Sequence, residues 1–286
     1  MKSSLLTAQN VIIQGITGAH GAFHAQAMKN SGTGIVAGTS PNKAGQFIDT
    51  IPVYNSIKDI QKDFTVDISV IFVPPAFAKS AIIEAISAKI PLIVCITEGI
   101  PIHDMLQIKQ HLEKGSSTLI GPNCPGVLIP GNNKLGIIPA HLSLPGSVGL
   151  VSRSGTLTYE AMDGLTRRNI GQRYIVGIGG DRIPGTSFID TLALFESDPT
   201  VEQIVMIGEI GGTSEIEAAD YIHQHVTKPV YAYVTGHHAP EGVQLGHAGA
   251  ILGSADESAV AKTQYLAQCN VHTANSITQL VKMIPA

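Results

Sequence analysis

The sequence predicts an α/β protein built as two successive parallel-sheet domains. Short runs rich in Val and Ile, bounded by turn residues, recur at 10–14, 34–38, 68–73, 92–97 and 118–120. Between them lie stretches with helical periodicity, such as 77–89 and 103–114. This alternation gives parallel strands covered by helices, because a parallel neighbour needs a long crossover and a helix supplies it. The composition agrees. Of 286 residues, 44% are hydrophobic and only 5% aromatic, with Trp absent and 30 glycines, which suits an aliphatic interior with many tight turns.

The first strand, 10–14, runs into Gly15-Ile16-Thr17-Gly18-Ala19-His20-Gly21 and then into a helix-compatible segment. Glycines there let backbone N–H groups approach a phosphate, which sits at the positive end of the helix. The spacing G-x-x-G-x-x-G departs from the G-x-G-x-x-G dinucleotide fingerprint, so a phosphate cradle and a plain tight turn both stay open. After the second strand an NAD site needs an acid for the ribose hydroxyls, whereas this chain has Gly38-Thr39-Ser40-Pro41-Asn42-Lys43. Lys43 suits a ribose that carries a phosphate, as in NADP or coenzyme A; a solvated lysine is the other reading.

Residues 121–146 are rich in proline and glycine and have no clear periodicity, which places a boundary between domains 1–125 and 126–286. A second series of strands follows near 148–152, 174–177, 203–207 and 230–234, with helices at 156–168, 187–196 and 214–226. Ser154, Gly155 and Thr156 open the first of these helices. They offer either an anion site on a helix N-terminus or a simple serine N-cap. Glu209, in Met206-Ile207-Gly208-Glu209-Ile210-Gly211-Gly212, stands just beyond the carboxyl end of a strand, where ligands of open sheets bind. A carboxylate there orients a histidine, holds a metal or simply enters a helix. His247 is flanked by small residues in Gly246-His247-Ala248-Gly249-Ala250. A nucleophilic histidine needs access, a fixed tautomer and an anion site, and the chain offers candidates for all three.

Other classes are excluded by composition. Lys plus Arg total 18 against 22 Asp plus Glu, a net charge of -4 with no basic cluster, which argues against nucleic acid. No apolar run reaches the roughly 18 residues of a membrane span. The N-terminus has one early lysine and no separate apolar core or cleavage site, so a cytoplasmic location is expected. Cys95, Cys124 and Cys269 are too few and scattered for a disulfide framework or a four-ligand zinc site. His223 and His225 on a helix end, and His237 and His238 in a turn, lack a third ligand at metal spacing, so no metal is expected.

Taken together, GITGAHG, PNKAG, ITEGIP, GPNCPG, SRSGTLTYE, VGIGGD, MIGEIGG and GHAGA span nearly the whole chain. In that order they resemble the alpha-subunit family of succinyl-CoA synthetase, or succinate–CoA ligase. The resemblance implies an N-terminal Rossmann-like CoA-binding domain and a C-terminal flavodoxin-like domain. It also implies a beta-subunit partner with an ATP-grasp fold that binds ATP or GTP with Mg. The implied reaction, a step of the tricarboxylic acid cycle, reversibly joins succinate to CoA at the expense of a nucleoside triphosphate. Carried over residue by residue, Thr17, Gly18, Ala19, His20, Lys43, Ile96, Thr97 and Glu98 contact CoA, with CoA as a substrate. Tyr159 contacts the organic acid, and Ser154, Gly155 and Thr156 hold the phosphoryl group. His247 is the residue phosphorylated, and Glu209 holds its ring.

The chain departs from that pattern in three places. The family often has glycine where Asn42 and Ala44 stand, and commonly Gln where His20 stands. Its glycine-rich, lysine-containing stretch after the histidine is replaced by Leu252-Gly253-Ser254-Ala255-Asp256-Glu257-Ser258. The alternatives are a related enzyme such as malate–CoA ligase, or a CoA-binding paralogue without turnover. The intact set Glu209, His247, Ser154 and Tyr159 argues against the paralogue. An NAD-linked oxidoreductase is disfavoured by the missing acid.

Overall fold

A computed structural model describes residues 2–237, 239, 244 and 246–285. The chain divides into two compact units, Lys2–Ile138 and Pro139–Ala286. The first contains α1 (Ser3–Leu6), β1 (Val11–Gln14), α2 (Ala19–Asn30), β2 (Ile35–Thr39), β3 (Phe47–Ile48), β4 (Ile51–Tyr54) and α3 (Ile57–Ile60). It continues with β5 (Ile68–Ile71), α4 (Pro75–Ser87), β6 (Leu92–Cys95), α5 (Ile102–Lys114), β7 (Thr118–Ile120), β8 (Gly126–Ile129) and β9 (Asn133–Gly136). The sheet order is β3-β4-β2-β1-β5-β6-β7, a Rossmann-like arrangement in which only the short β3 is antiparallel to its neighbour. β1, β5 and β6 are buried at every position, which is why they read as continuous aliphatic runs rather than as alternation. β1 pairs with β2 on one side and β5 on the other, so strand addition reverses there. The crevice at the carboxyl ends of such a switch point is where ligands bind.

The two compact units divide at 138/139, within the proline- and glycine-rich segment expected to hold the boundary. The proline- and glycine-rich segment encloses an antiparallel hairpin, β8–β9, rather than a linker. Asn133 ties it to the first unit by donating to the Leu6 and Ala8 carbonyls at 3.0 and 2.8 Å, and the Lys134 N–H donates to Thr33 Oγ1 at 3.0 Å. All four residues of each hairpin strand are buried, so neither strand alternates.

The second unit contains β10 (Pro145–Ser152), α6 (Gly155–Arg167), β11 (Gln172–Gly177), α7 (Phe188–Ser197) and β12 (Gln203–Glu209). After them come α8 (Ser214–His225), β13 (Val230–Thr235), α9 (Ala259–Gln268), β14 (His272–Ala274) and α10 (Ile277–Met283). The strands β14-β13-β12-β10-β11 pair in parallel in that order, the flavodoxin-like arrangement, with the switch point between β10 and β12. Leu150, Ile175, Val205 and Met206 of the sheet, with Leu165, Phe188 and Phe195 of the helices, are buried in its core. No helix among the described residues is long and apolar enough to cross a membrane.

Asp198, at the end of α7, anchors this core to β11. Its carboxylate accepts from the buried Tyr174 hydroxyl at 2.5 Å and from the Thr200 N–H and hydroxyl at 2.8 and 2.6 Å. Burial raises the carboxyl's pKa, but these bonds and Arg173 outweigh it and hold the value at about 2 against an ordinary 3.8. A depressed carboxyl pKa contributes stability above pH 4, and that contribution is lost as the pH falls toward 2. Asp198→Asn is expected to destabilise the protein by about 1–2 kcal/mol at neutral pH. In denaturation at stepped pH, its deficit against wild type should close in the acid range.

Candidate active site

At the carboxyl edge of the first sheet the chain leaves β1 through Gly15, at φ +84°, and enters α2. A Cβ on Gly21 would lie 2.3 Å from the Gly15 carbonyl oxygen, so glycine is required for the turn to close on the helix. Gly18 is the N-cap and bonds no side chain across the first turn, and Gly18, Ala19 and His20 are exposed. The first N–H groups of α2 therefore lie at an accessible end that favours anions. Thr17 and Ser40 share a hydrogen bond at 2.7 Å, and Lys43 Nζ donates to Thr17 Oγ1 at 3.2 Å. The loop after β2 thus brings an ammonium to the glycine loop. Asn42 adopts φ +63°, a conformation asparagine tolerates, so the position does not need glycine; Gly45, at φ +86°, supplies the next left-handed residue.

Ile96, Thr97 and Glu98 follow β6 at the same edge. Ile96 is half-buried and Glu98 exposed. Thr97 is buried, and its hydroxyl donates to the Val73 carbonyl at 2.7 Å, tying the loops after β5 and β6 together. That hydroxyl holds the loop.

The second unit builds its site where β10 and β12 end side by side, with Ser152 opposite Ile207. Glu209 Oε2 lies 2.7 Å from His247 Nδ1. With Nδ1–H donating to the carboxylate, the ring's lone pair falls on Nε2. The His247 side chain is 27% exposed, whereas Glu209 is 4% exposed. Gly180, in the loop after β11, lies against the ring: a Cβ there would be 2.2 Å from His247 Cγ. The Gly249 N–H donates to the Gly180 carbonyl at 3.0 Å, and Arg182 Nε donates to the Ala248 carbonyl at 3.1 Å.

Beneath the pair lies a cluster of buried charges. Arg153 Nη2 stands 3.1 Å from Glu209 Oε1, an ion pair without hydrogen-bond alignment. Arg153 Nη1 donates to Glu215 Oε1 at 3.1 Å, which also accepts the Glu209 N–H at 3.1 Å. Lys262 Nζ donates to Glu215 Oε2 and to the Glu209 and Gly211 carbonyls at 2.9 and 2.8 Å. Burial opposes each charge. It pushes the Glu215 carboxyl up, yet Arg153 and Lys262 outweigh it and hold that carboxyl below its usual range. Burial likewise works against the Arg153 guanidinium, which Glu215 and Glu209 keep above its usual value. For Lys262 burial wins and lowers the ammonium.

Ser154 is the N-cap of α6, its Oγ accepting from the Leu157 N–H at 3.3 Å. The cap and an anion site are compatible, since one oxygen satisfies only one of the first-turn N–H groups. Gly155 is half-buried, Thr156 is exposed, and Tyr159 stands half-buried on the same helix. His223 and His225 end α8, His237 lies in a turn, and His238 falls outside the described residues. Among the described residues no three His, Cys, Asp or Glu side chains group to hold a metal ion.

Residues 7–99 match the CoA binding domain family and residues 151–271 the CoA-ligase family. One unit that binds CoA and one that ligates it define an acid–thiol ligase. The chain is 49% identical to the succinate–CoA ligase [ADP-forming] alpha subunit of Aquifex aeolicus, over 92% of this chain and 87% of that one. To the Staphylococcus epidermidis alpha subunit it is 46% identical, over 94% and 89%. It belongs to the succinate–CoA ligase alpha-subunit family. It also resembles, with a TM-score of 0.85 and 28% identity, the ATP citrate lyase of Methanothrix soehngenii solved with citrate and coenzyme A. That match covers 97% of this chain and 50% of the lyase chain, so this chain spans half its length.

Sequence reasoning did not single out Arg153, Glu215, Lys262 or Gly180. A signal for two of them exists. Glu215 shares a buried stripe with Ala218, Ala219 and Ile222, and Lys262 shares one with Ala259 and Leu266, so each charge occupies a core-facing helical position. Gly180→Ala is expected to push the ring off Glu209 and to lower ligase activity about a hundredfold, the scale set by ångström misplacement of a reacting group. CoA affinity measured by calorimetry should stay unchanged.

Proposed function

We propose that the chain is the catalytic alpha subunit of a succinate–CoA ligase whose His247 carries the phosphoryl group between partial reactions. The observation that carries this reading is the contact of His247 Nδ1 with the buried Glu209 carboxylate at 2.7 Å. It orients Nε2 as the nucleophile and offsets the charge that develops on the ring.

His247 Nε2 attacks the γ-phosphorus of ATP or GTP held with Mg on an ATP-grasp beta subunit. The N–P bond forms as the bond to the departing nucleoside diphosphate breaks. A carboxylate oxygen of succinate then attacks that phosphorus, and the N–P electron pair returns to Nε2, giving succinyl phosphate. The CoA thiol, losing its proton to solvent, attacks the acyl carbonyl, and phosphate leaves as the thioester forms. One endergonic condensation becomes a series of transfers that each keep much of the group-transfer potential of the last. Ser154, Gly155 and Thr156 receive the phosphoryl group at the α6 N-terminus. Tyr159, on the same helix, contacts succinate. The CoA phosphates rest on Thr17, Gly18, Ala19 and His20, with Lys43 on the ribose phosphate and the 96–98 loop completing the contacts. The reaction belongs to the tricarboxylic acid cycle in the cytoplasm.

The chain co-purified with its beta subunit should take up label from γ-labelled nucleoside triphosphate in an acid-labile, alkali-stable form, as a phosphoramidate requires. His247→Asn should abolish the label, and Glu209→Gln should slow it about ten- to a hundredfold. Full-rate succinyl-CoA synthesis by the His247→Asn complex would overturn the mechanism. Separately, Lys43→Ala should weaken CoA about tenfold and 3'-dephospho-CoA much less. Equal losses in calorimetry would remove Lys43 from the ribose phosphate.

A further inference from the structure

We infer that Glu215 and Lys262 are positioning residues for the phosphoryl-accepting histidine, acting through Arg153 and Glu209; the inference rests on the phosphohistidine reading above. The charges alternate along one chain of contacts: Lys262, Glu215, Arg153, Glu209, then His247. The Lys262 and Glu215 side chains are fully buried, and Arg153 is 7% exposed. All three N–H donors of the Lys262 ammonium have acceptors: Glu215 Oε2 and the Glu209 and Gly211 carbonyls. Glu215 is saturated too, accepting from Lys262 and Ser214 on one oxygen and from Arg153 and the Glu209 N–H on the other. Apart from the bond between them, the bonds of these two side chains end on Arg153, on the Glu209–Gly211 backbone or on the adjoining Ser214.

Fold stability does not require such an arrangement, since buried ion pairs are matched or exceeded in stability by apolar residues of similar volume. What the cluster supplies is orientation. Glu215 holds the Arg153 guanidinium so that Nη2 faces Glu209 Oε1, while Lys262 pins the main chain on which Glu209 rides. Arg153 in turn faces one carboxylate oxygen as an ion pair and leaves the other on His247 Nδ1. Without Lys262, Arg153 is the one cation left of this pair on Glu215 and is drawn from Glu209, loosening the carboxylate that sets the histidine tautomer.

The test uses the chain with its beta subunit and compares Lys262→Met, Glu215→Gln and Lys262→Arg for acid-labile labelling, CoA binding and thermal melting. Lys262→Met and Glu215→Gln should label about ten- to a hundredfold more slowly, in the limiting rate rather than in the KM for nucleotide. CoA affinity should be retained, and Lys262→Arg should recover part of the rate. In a Glu209→Gln background Lys262→Met should cost less than about threefold, because the pathway it serves is already cut. A purely structural role predicts the full loss again. Wild-type 15N spectra of His247 should show Nδ1 as the protonated nitrogen whether or not the variants fold. Wild-type labelling rates in Lys262→Met, additive losses with Glu209→Gln, or a ring protonated on Nε2 would each overturn the inference. Absence of acid-labile label on the wild-type chain would instead overturn the phosphohistidine reading itself.

Discussion

The buried carboxylate of Glu209 is the constraint on which the second unit's chemistry depends. An anion removed from water must be compensated, and taking away one partner of a buried pair costs about 3–5 kcal/mol. Glu209 is 4% exposed and faces Arg153 on one oxygen and His247 on the other. Its partners come from the end of β10 and from the loop around 247, with Glu215 from α8 and Lys262 from α9 behind them. Because β10 and β12 are parallel neighbours, the residues that follow them emerge side by side at one edge of the sheet, 153 beside 209. The topology and the charge cluster are one requirement seen at two scales.

The two units meet anionic chemistry in different ways. In the first, an exposed helix N-terminus, a hydroxyl pair and an exposed lysine face solvent, where each contact is weak and a ligand can leave. In the second, the interacting charges are withdrawn from water, where electrostatics are stronger and less screened. Reversible binding suits the first environment. A histidine held in one tautomer by a buried carboxylate suits the second.

Much of this was legible in the sequence. Buried parallel strands have no polar face, so 68–73 and 92–97 stood out as aliphatic runs, and Glu209 was marked by its place just past such a run. The resemblance to the ligase family supplied what periodicity could not. Glu209 and His247 are 38 residues apart, and Arg153 and Glu215 are 62 apart, so no local spacing announces their contact. The β8–β9 hairpin was hidden because both its strands are wholly buried and its prolines and glycines imitate a linker. Lys262 was hidden for the opposite reason: a lysine on a helix is ordinarily solvated, and its place in the stripe with Ala259 and Leu266 is a faint sign that this one is buried. Thr97 illustrates a further limit, since a threonine in a binding loop can be there to hold the loop.

The acidic segment after the histidine makes sense in these terms. Glu257 closes on backbone: its carboxylate accepts the Gly253 N–H at 2.9 Å, and its carbonyl accepts the Gly211 N–H at 3.0 Å. The second bond fastens the segment to the turn that follows Glu209, and the first engages one carboxylate oxygen within the segment itself. Each bond is worth about 1 kcal/mol net, enough to shape a loop but small beside the buried cluster. The charge that faces the Glu209 carboxylate comes from Arg153, with Glu215 and Lys262 behind it, and the sequence that follows the histidine sets the path of the chain.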